Sequence, residues 1–490
     1  MEHTKLSSHK FKKGVFVSPL NEFINSSDKN KSWMYGRLPE YLWIALILNK
    51  YGRKEGFKRL FSILQLVKEK TSLDSVRMSD FLLADVAVKE TIFSTILDCV
   101  DADCLTPLTV VISVNIDSLF ALKFQSKMSI QDRVNILQTC LKRFSWHQSD
   151  DATDIRYVVL VFLIMKGRLH LRESDFTFMY DYQIISHTDR KMELIRPFIR
   201  SCELAIFSLD TTKNDYLNLF WNEVSRLTEC ELFIMNNQNE KKLDTKMYYE
   251  IVRSVFDYLQ QLYIDCNPLD KKMLVVLGIA TYSFKRLEEA ELHNLYCSIS
   301  GRSIIRILIE NYIMLRYLNE QESSNKSIWS DFEYYGIGQY KMVLTRHRES
   351  ELKRESHVDI GILEAIVNEF TNEEFQNMDT RYFDRSNIRE KSKKINESEL
   401  YGLYYDYDSA FEHGLWGAIR ETSLLKCNNP AHLYHCVPRV DDEPILKSVF
   451  SDCVYIMNKT IRFLATLYGV PEKMIGEIDK YEQSLIRETN

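Results

Sequence analysis

The sequence predicts an all-α fold of two helical lobes, the C-terminal one bundle-like, and three observations carry that prediction. Glycine and proline are scarce, 15 and 9 in 490 residues, against roughly 7% and 5% in ordinary soluble chains. Sheet sandwiches and loop-dependent α/β folds need more turn residues than this. Apolar residues recur at helical spacing through most of the chain. Hydrophobic residues make up 45% and aromatics 12%, with 27 Tyr and 26 Phe. That supplies a sizeable core and excludes disorder of the whole chain.

Residues 1–31 read as a flexible N-terminal segment, basic and polar, without the apolar core of a secretory signal. An N-terminal helical domain then spans 32–235. It opens on WMYGRLPEYLWIALILNKYGRKEGFKRLFSILQLVKE, where Pro39 suits a first helical turn and Leu42, Ala45, Leu46 and Asn49 share a face. Gly52 interrupts the pattern, and Phe57, Leu60, Phe61 and Leu64 resume it. Thr106-Pro107 and Arg196-Pro197 punctuate the shorter segments that follow, and Ser129 is placed to cap IQDRVNILQTCLKRF. The β-branched residues of Val110–Phe124 would fit a strand. Helix is the preferred reading there, because no Gly/Asn turn pairs surround them.

Polar Asn236–Lys246 marks the internal boundary. Beyond it the C-terminal bundle domain, 247–468, has helical patterns at 247–264, 271–298, 301–319, 331–352, 400–424 and 446–468. The polar insertion Asp384–Glu399 reads as a surface loop or a solvated helix end. Residues 469–490 read as a charged C-terminal tail.

Charge and cysteine usage exclude several classes. Lys plus Arg total 63 against 69 Asp plus Glu, a net charge of −6 that argues against a long nucleic-acid footprint. The apolar runs Tyr157–Met165 and Met273–Ala280 fall well short of the roughly 18–20 residues that span a bilayer. No membrane role is expected, and the ten scattered cysteines fit reduced thiols in a cytoplasmic protein. There is no P-loop, dinucleotide fingerprint, HExxH or EF-hand loop, and no cofactor is expected.

Two helical segments carry polar residues inside apolar patterns. In GRSIIRILIENYIMLRYL, Arg302, Arg306 and Glu310 rise four apart along one face. They form either a solvated Arg–Glu ladder or the wall of a polar cleft, where arginines would hold an anion. In YGLYYDYDSAFEHGLWGAIRE, read as one helix, Ser409, His413, Trp416 and Arg420 form a stripe with Asp408 and Glu412 beside it. His413 is either a buried histidine serving its neighbours or a proton shuttle. The serine-hydrolase version fails for want of a Gly-x-Ser-x-Gly elbow.

A third cluster is CNNPAHLYHC, with Cys427, His432, His435 and Cys436. Four metal-type ligands within ten residues invite zinc, yet no second Cys-x-x-Cys or His-x-x-x-His half accompanies them. The loop is therefore read as packed by Tyr434 and its histidines, with no metal. Charge-dense His347–His357 reads as a solvated helix face or interface rim.

The pair GRSIIRILIEN and YYDYDSAFEHG resembles an all-helical bacterial family catalogued only as domain of unknown function 5677. Arg302, Arg306 and Glu310 match its Arg-x-x-x-Glu-like helix, and Tyr405, Ser409 and His413 its Tyr-to-His helix, across about residues 250–465. The opening WMYGRLPEYLWIALIL is similar to the start of larger proteins carrying this domain, which are associated with antiphage defence. The resemblance implies a helical sensor, partner-binding or effector module. Its partner would be a protein or a second copy, and its ligand RNA or a small anion.

A metal-independent ribonuclease toxin is the alternative, with His413, Arg302, Arg306 and Glu310 as its catalytic set. Tyr405, Ser409, Glu412 and Arg420 would then contact the ligand. This sequence departs from the helical ribonucleases, which place an Arg four to six residues before a His on one helix. A structural or oligomeric scaffold is the third reading.

Overall fold

In the computed structural model, residues 5–17, 19, 32–208, 215–233, 243–350, 356–369, 372–379, 382–440 and 446–489 are described. They are predominantly α-helical, with two small antiparallel sheets. The chain forms two compact units, residues 1–233 with 425–437 and residues 234–424 with 438–490. The first break adjoins the polar Asn236–Lys246 segment, of which 236–242 lie outside the described residues. The return of 425–437 to the first unit has no counterpart in a sequential division.

The first unit begins with a hairpin, β1 (Lys10–Lys12) and β2 (Val15–Val17). Its core is built on α1 (Leu42–Lys70), which Gly52 breaks at φ 72. Only glycine adopts that conformation cheaply, so the interruption read from the sequence is a kink between two helical halves. The following helices are α2 (Met78–Leu83), α3 (Val86–Cys99), α4 (Ser118–Lys123), α5 (Ile130–Phe144) and α6 (Asp150–Met165). α7 (Glu173–Ile184), α8 (Met192–Ser208) and α9 (Tyr216–Arg226) complete the unit's helices. Ser129 caps α5 as its position predicts, its Oγ accepting from the Asp132 amide at 3.1 Å.

One local reading holds in part and another changes. Val110–Phe124 contains no strand, in line with the preferred helical reading, but only its second half is α-helix: a 3-10 turn ends at Val110 and α4 starts at Ser118. Pro197 does not end a helix, because it sits in the second turn of α8. The carbonyl it deprives of an amide, that of Glu193, belongs to an exposed residue where water can serve it.

The second unit is a bundle of α10 (Thr245–Cys266), α11 (Lys271–Leu292), α12 (Ile299–Gln321) and α13 (Ile328–Glu349) with later helices added around it. Those are α14 (Ile360–Val367), α15 (Ile388–Lys394), α16 (Asp406–Glu412), α17 (Trp416–Thr422), α18 (Phe450–Tyr468) and α19 (Glu472–Thr489). Side-chain caps start the long helices: Asp244 for α10, Asp270 for α11 and Ser298 for α12. α11 stops before the expected position 298, because Asn294 turns left-handed at φ 53 and the chain reverses into the Ser298 cap.

α12 is the central element, packed on α11, α15, α16 and α18. The expected single helix 400–424 is instead a π-turn (Tyr401–Tyr405), α16 and α17. Gly414, at φ 56 just past α16, takes the left-handed position that closes a helix. The segment read as a charged tail forms α19, which buries Ile478, Tyr481 and Leu485 against α10 and α18. Their i, i+3, i+7 spacing accounts for the burial. Among the described residues, no helix is long and apolar enough to cross a membrane.

Gly301, in the first turn of α12, lies where a Cβ would press into the backbone carbonyl oxygen of Leu295. Backbone cannot yield as a flexible side chain would. Gly301→Ala is expected to lower unfolding free energy by about 1–3 kcal/mol, measured by urea denaturation, and an unchanged midpoint would contradict this packing.

Candidate functional site

The polar residues of α12 border its apolar face, Arg302 buried and Arg306 and Glu310 half-buried, and the second unit meets them with oxygens from residues 401–412. Arg306 Nη2 donates to Tyr405 Oη at 2.7 Å, and Nε donates to Ser409 Oγ at 3.1 Å. Its third nitrogen lies 3.5 Å from Glu310 Oε2, and Tyr405 Oη donates to that same carboxylate oxygen at 3.3 Å. The guanidinium carbon also sits 4.7 Å from the Tyr405 ring centre, a cation–π contact. Tyr401 stacks on Tyr405 at 5.0 Å. Burial and the neighbouring Glu310 push the Tyr405 hydroxyl up to about 12, so it stays a donor at neutral pH.

Arg302 lies one turn back and is 3% exposed. It faces the Phe411 ring at 5.7 Å, and its Nε has no hydrogen-bond partner among the described residues. Asp408 is buried close by. Burial, partly opposed by Arg302 and Arg306 and reinforced by Asp452 of α18, pushes its carboxyl up to about 7. Asp452 is itself raised, again mainly by burial. Asp408 is thus the acid whose charge changes near neutrality at this site.

The sequence-predicted residues divide into two groups. Arg306, Glu310, Tyr405 and Ser409 form one hydrogen-bonded network, with Arg302 behind it. Ser303 Oγ donates to Glu412, tying α16 to α12 at the surface. His413 caps the end of α16, is exposed, and its ring makes no hydrogen bond among the described residues. Arg420 belongs to α17, where Nη1 donates to the Leu424 carbonyl at 3.2 Å. The stripe through Ser409, His413, Trp416 and Arg420 does not exist, because the chain breaks at Gly414 between the two helices.

Glu310 also lines a pocket of 470 Å³ with Met314, Tyr382, Arg385, Asn387 and Lys391, a size suited to a small ligand. Lys391 has a side chain at 0% exposure, held by Asp384 at 2.5 Å and surrounded by the rings of Tyr317, Tyr382 and Phe383 at 4.5–5.2 Å. Burial lowers its pKa despite the carboxylate. Arg385 stands exposed at the pocket, with no ion pair among the described residues. Asp384, Arg385 and Lys391 all fall in the segment read as a solvated insertion. The aromatic pair Tyr382-Phe383 just before it is the one local signal that it is anchored.

Residues 274–432 match the model of a family of unknown function (DUF5677). No curated protein and no solved structure matches the chain. The matched segment contains the Arg306 network and the pocket residues; Asp452 lies outside it.

Asp408 gives the site a pH signature. Folded and unfolded chains are both protonated there below about pH 4, and both charged well above pH 7. Between those limits the folded chain holds more protons, so this residue's contribution to stability falls as pH rises. Asp408→Asn removes that slope. Relative to the parent protein, the variant is expected to gain about 1–4 kcal/mol between pH 4 and pH 8, measured by urea unfolding. A pH-independent difference would contradict the burial of this carboxyl.

Proposed function

We propose that this protein is a helical ligand-binding module of antiphage defence, and that the pocket beside the Arg306 network takes a small anionic ligand. One observation carries the binding reading. Glu310 belongs both to the Arg306–Tyr405–Ser409 network and to the wall of the 470 Å³ pocket, whose exposed cation is Arg385. Arg385 supplies charge for an anion, Tyr382, Met314 and Ile388 supply an apolar wall, and Ser386 and Asn387 supply polar contacts. With the anionic group on Arg385, a hydroxyl or amino group of the ligand donating to Glu310 would be felt through Tyr405 and Arg306 in α12 and α16, which is what a sensor requires. The defence assignment rests on the resemblance of the α12 and Tyr405–His413 segments and of the Trp33–Leu48 opening.

Binding is favoured over RNA cleavage by the position of His413. In-line attack by a 2′-hydroxyl needs a base and a phosphate-stabilising cation at one place. His413 is exposed at the end of α16, while Arg306 is already engaged by Ser409, Tyr405 and Glu310.

The test is titration of the full chain with inorganic phosphate and a panel of ribonucleotides, followed by calorimetry and thermal shift. At least one probe is expected to bind saturably, and Arg385→Ala to weaken it by roughly 10- to 100-fold, the cost of a charge-assisted contact. Arg306→Ala is expected to abolish phage protection in a plaque assay. Absence of binding by every probe would overturn the ligand reading. RNA cleavage lost in His413→Ala would replace it with the nuclease, and unchanged infection after gene deletion would remove the defence assignment.

A further inference from the structure

A second cluster lies in the first unit, apart from the site above. β4 (Leu424–Cys427) ends at Cys427, a 3-10 turn follows at Pro430–His432, and β5 (Cys436–Pro438) begins after His435. Between the histidines Leu433 and Tyr434 are both left-handed, at φ 56 and φ 50. Side chains other than glycine rarely hold that conformation twice in succession. Tyr35 Oη donates to the Leu433 carbonyl at 3.0 Å, and the Tyr434 hydroxyl meets Ser145 Oγ at 3.1 Å. The turn brings the His432 and His435 rings to 5.0 Å.

The missing half of the cluster comes from the segment after α9. There β3 (Leu232–Phe233) pairs antiparallel with β4, placing Leu232 opposite Cys427, and Cys230 reaches the same point. Cys230 Sγ lies 3.2 Å from His432 Nδ1 and 3.2 Å from His435 Nε2, and Cys427 Sγ lies 3.7 Å from His432 Nδ1. All four ligand atoms fall within 4.8 Å of one another. Tetrahedral zinc, with Zn–S near 2.3 Å and Zn–N near 2.0 Å, sets its ligands about 3.3–3.8 Å apart.

We infer that Cys230, Cys427, His432 and His435 form a structural zinc site. Its surroundings are those of a ligand set. His432 Nε2 donates to the Thr228 carbonyl at 3.0 Å, which leaves the Nδ1 lone pair facing both sulfurs. The Asn429 amide donates to Cys427 Sγ at 3.4 Å, supporting negative charge on that sulfur. Zinc displaces one proton from each thiol, and two thiolates with two neutral imidazoles then balance the dication. Four protein ligands fill the tetrahedron, so the metal cross-links rather than catalyses. It joins two segments whose ligands Cys230 and His432 lie 202 positions apart, and so fastens residues 425–437 to the first unit. Sequence spacing could not reveal this, because the fourth ligand is Cys230 and not the adjacent Cys436.

The test is elemental analysis of the purified full chain, followed by chelation and reloading with cobalt. Close to one zinc per chain is expected, and cobalt should give the visible bands of a tetrahedral thiolate site. Cys230→Ser and His435→Ala, both at exposed positions and therefore compatible with folding, are expected to lose the metal, whereas Cys436→Ser retains it. Chelator should lower the melting temperature of the parent protein and leave the Cys230→Ser variant unmoved. Metal absent from the parent protein, metal retained by Cys230→Ser, or a Cys230–Cys427 disulfide in its place would each overturn the site.

Discussion

An arginine can sit inside a helical bundle only where oxygen atoms meet it, and Arg306 sets that condition for the second unit. It is carried by α12, whose apolar residues are buried against helices on several sides. The Arg306 side chain is 18% exposed, and leaving so largely desolvated a guanidinium without partners is unfavourable. The chain answers with Tyr405 at the end of a π-turn and Ser409 one helical turn later. Four-residue spacing puts both oxygens on the α12 side, and Glu310, four residues beyond Arg306, completes the charge balance. The short helices after residue 400 are therefore positioned by polar pairing as well as by apolar burial.

The same rule recurs with other residues. Lys391 is enclosed by three aromatic rings but faces Asp384, so a fully buried ammonium keeps its counter-charge. In the first unit Arg37 and Arg156 share Glu203, and Arg156 lies 3.9 Å from the Trp33 ring. Such groups contribute less to stability than apolar residues of equal size, but removing one partner is costly. Each pair restricts which segments can pack together. At Arg306 the restriction leaves a connected polar network next to a pocket, which is the arrangement a binding site needs.

The features legible in the sequence were those written locally. Helical spacing, the Gly52 interruption and the Ser129 cap depend on neighbours within a few residues, and all three appear in the fold. The face shared by Arg302, Arg306 and Glu310 was legible for the same reason. Apolar spacing continued past Gly414, however, and hid the break that separates Ser409 and His413 from Arg420. Lys391 looked solvated because its polar neighbours outnumber the aromatic residues that bury it, one of which, Tyr317, is on α12. Cys230 had no local signal at all, since its neighbours in space are supplied by a return of the chain.

The central claim is that Arg306 and Tyr405 act as one preorganised unit rather than as two separately tolerated polar groups. A double-mutant cycle with Arg306→Ala, Tyr405→Phe and the combined variant, followed by urea unfolding, measures that directly. The account predicts a coupling of roughly 1–2 kcal/mol, as for contacting residues in one network. Additivity within about 0.3 kcal/mol, the behaviour of independent sites, would contradict it.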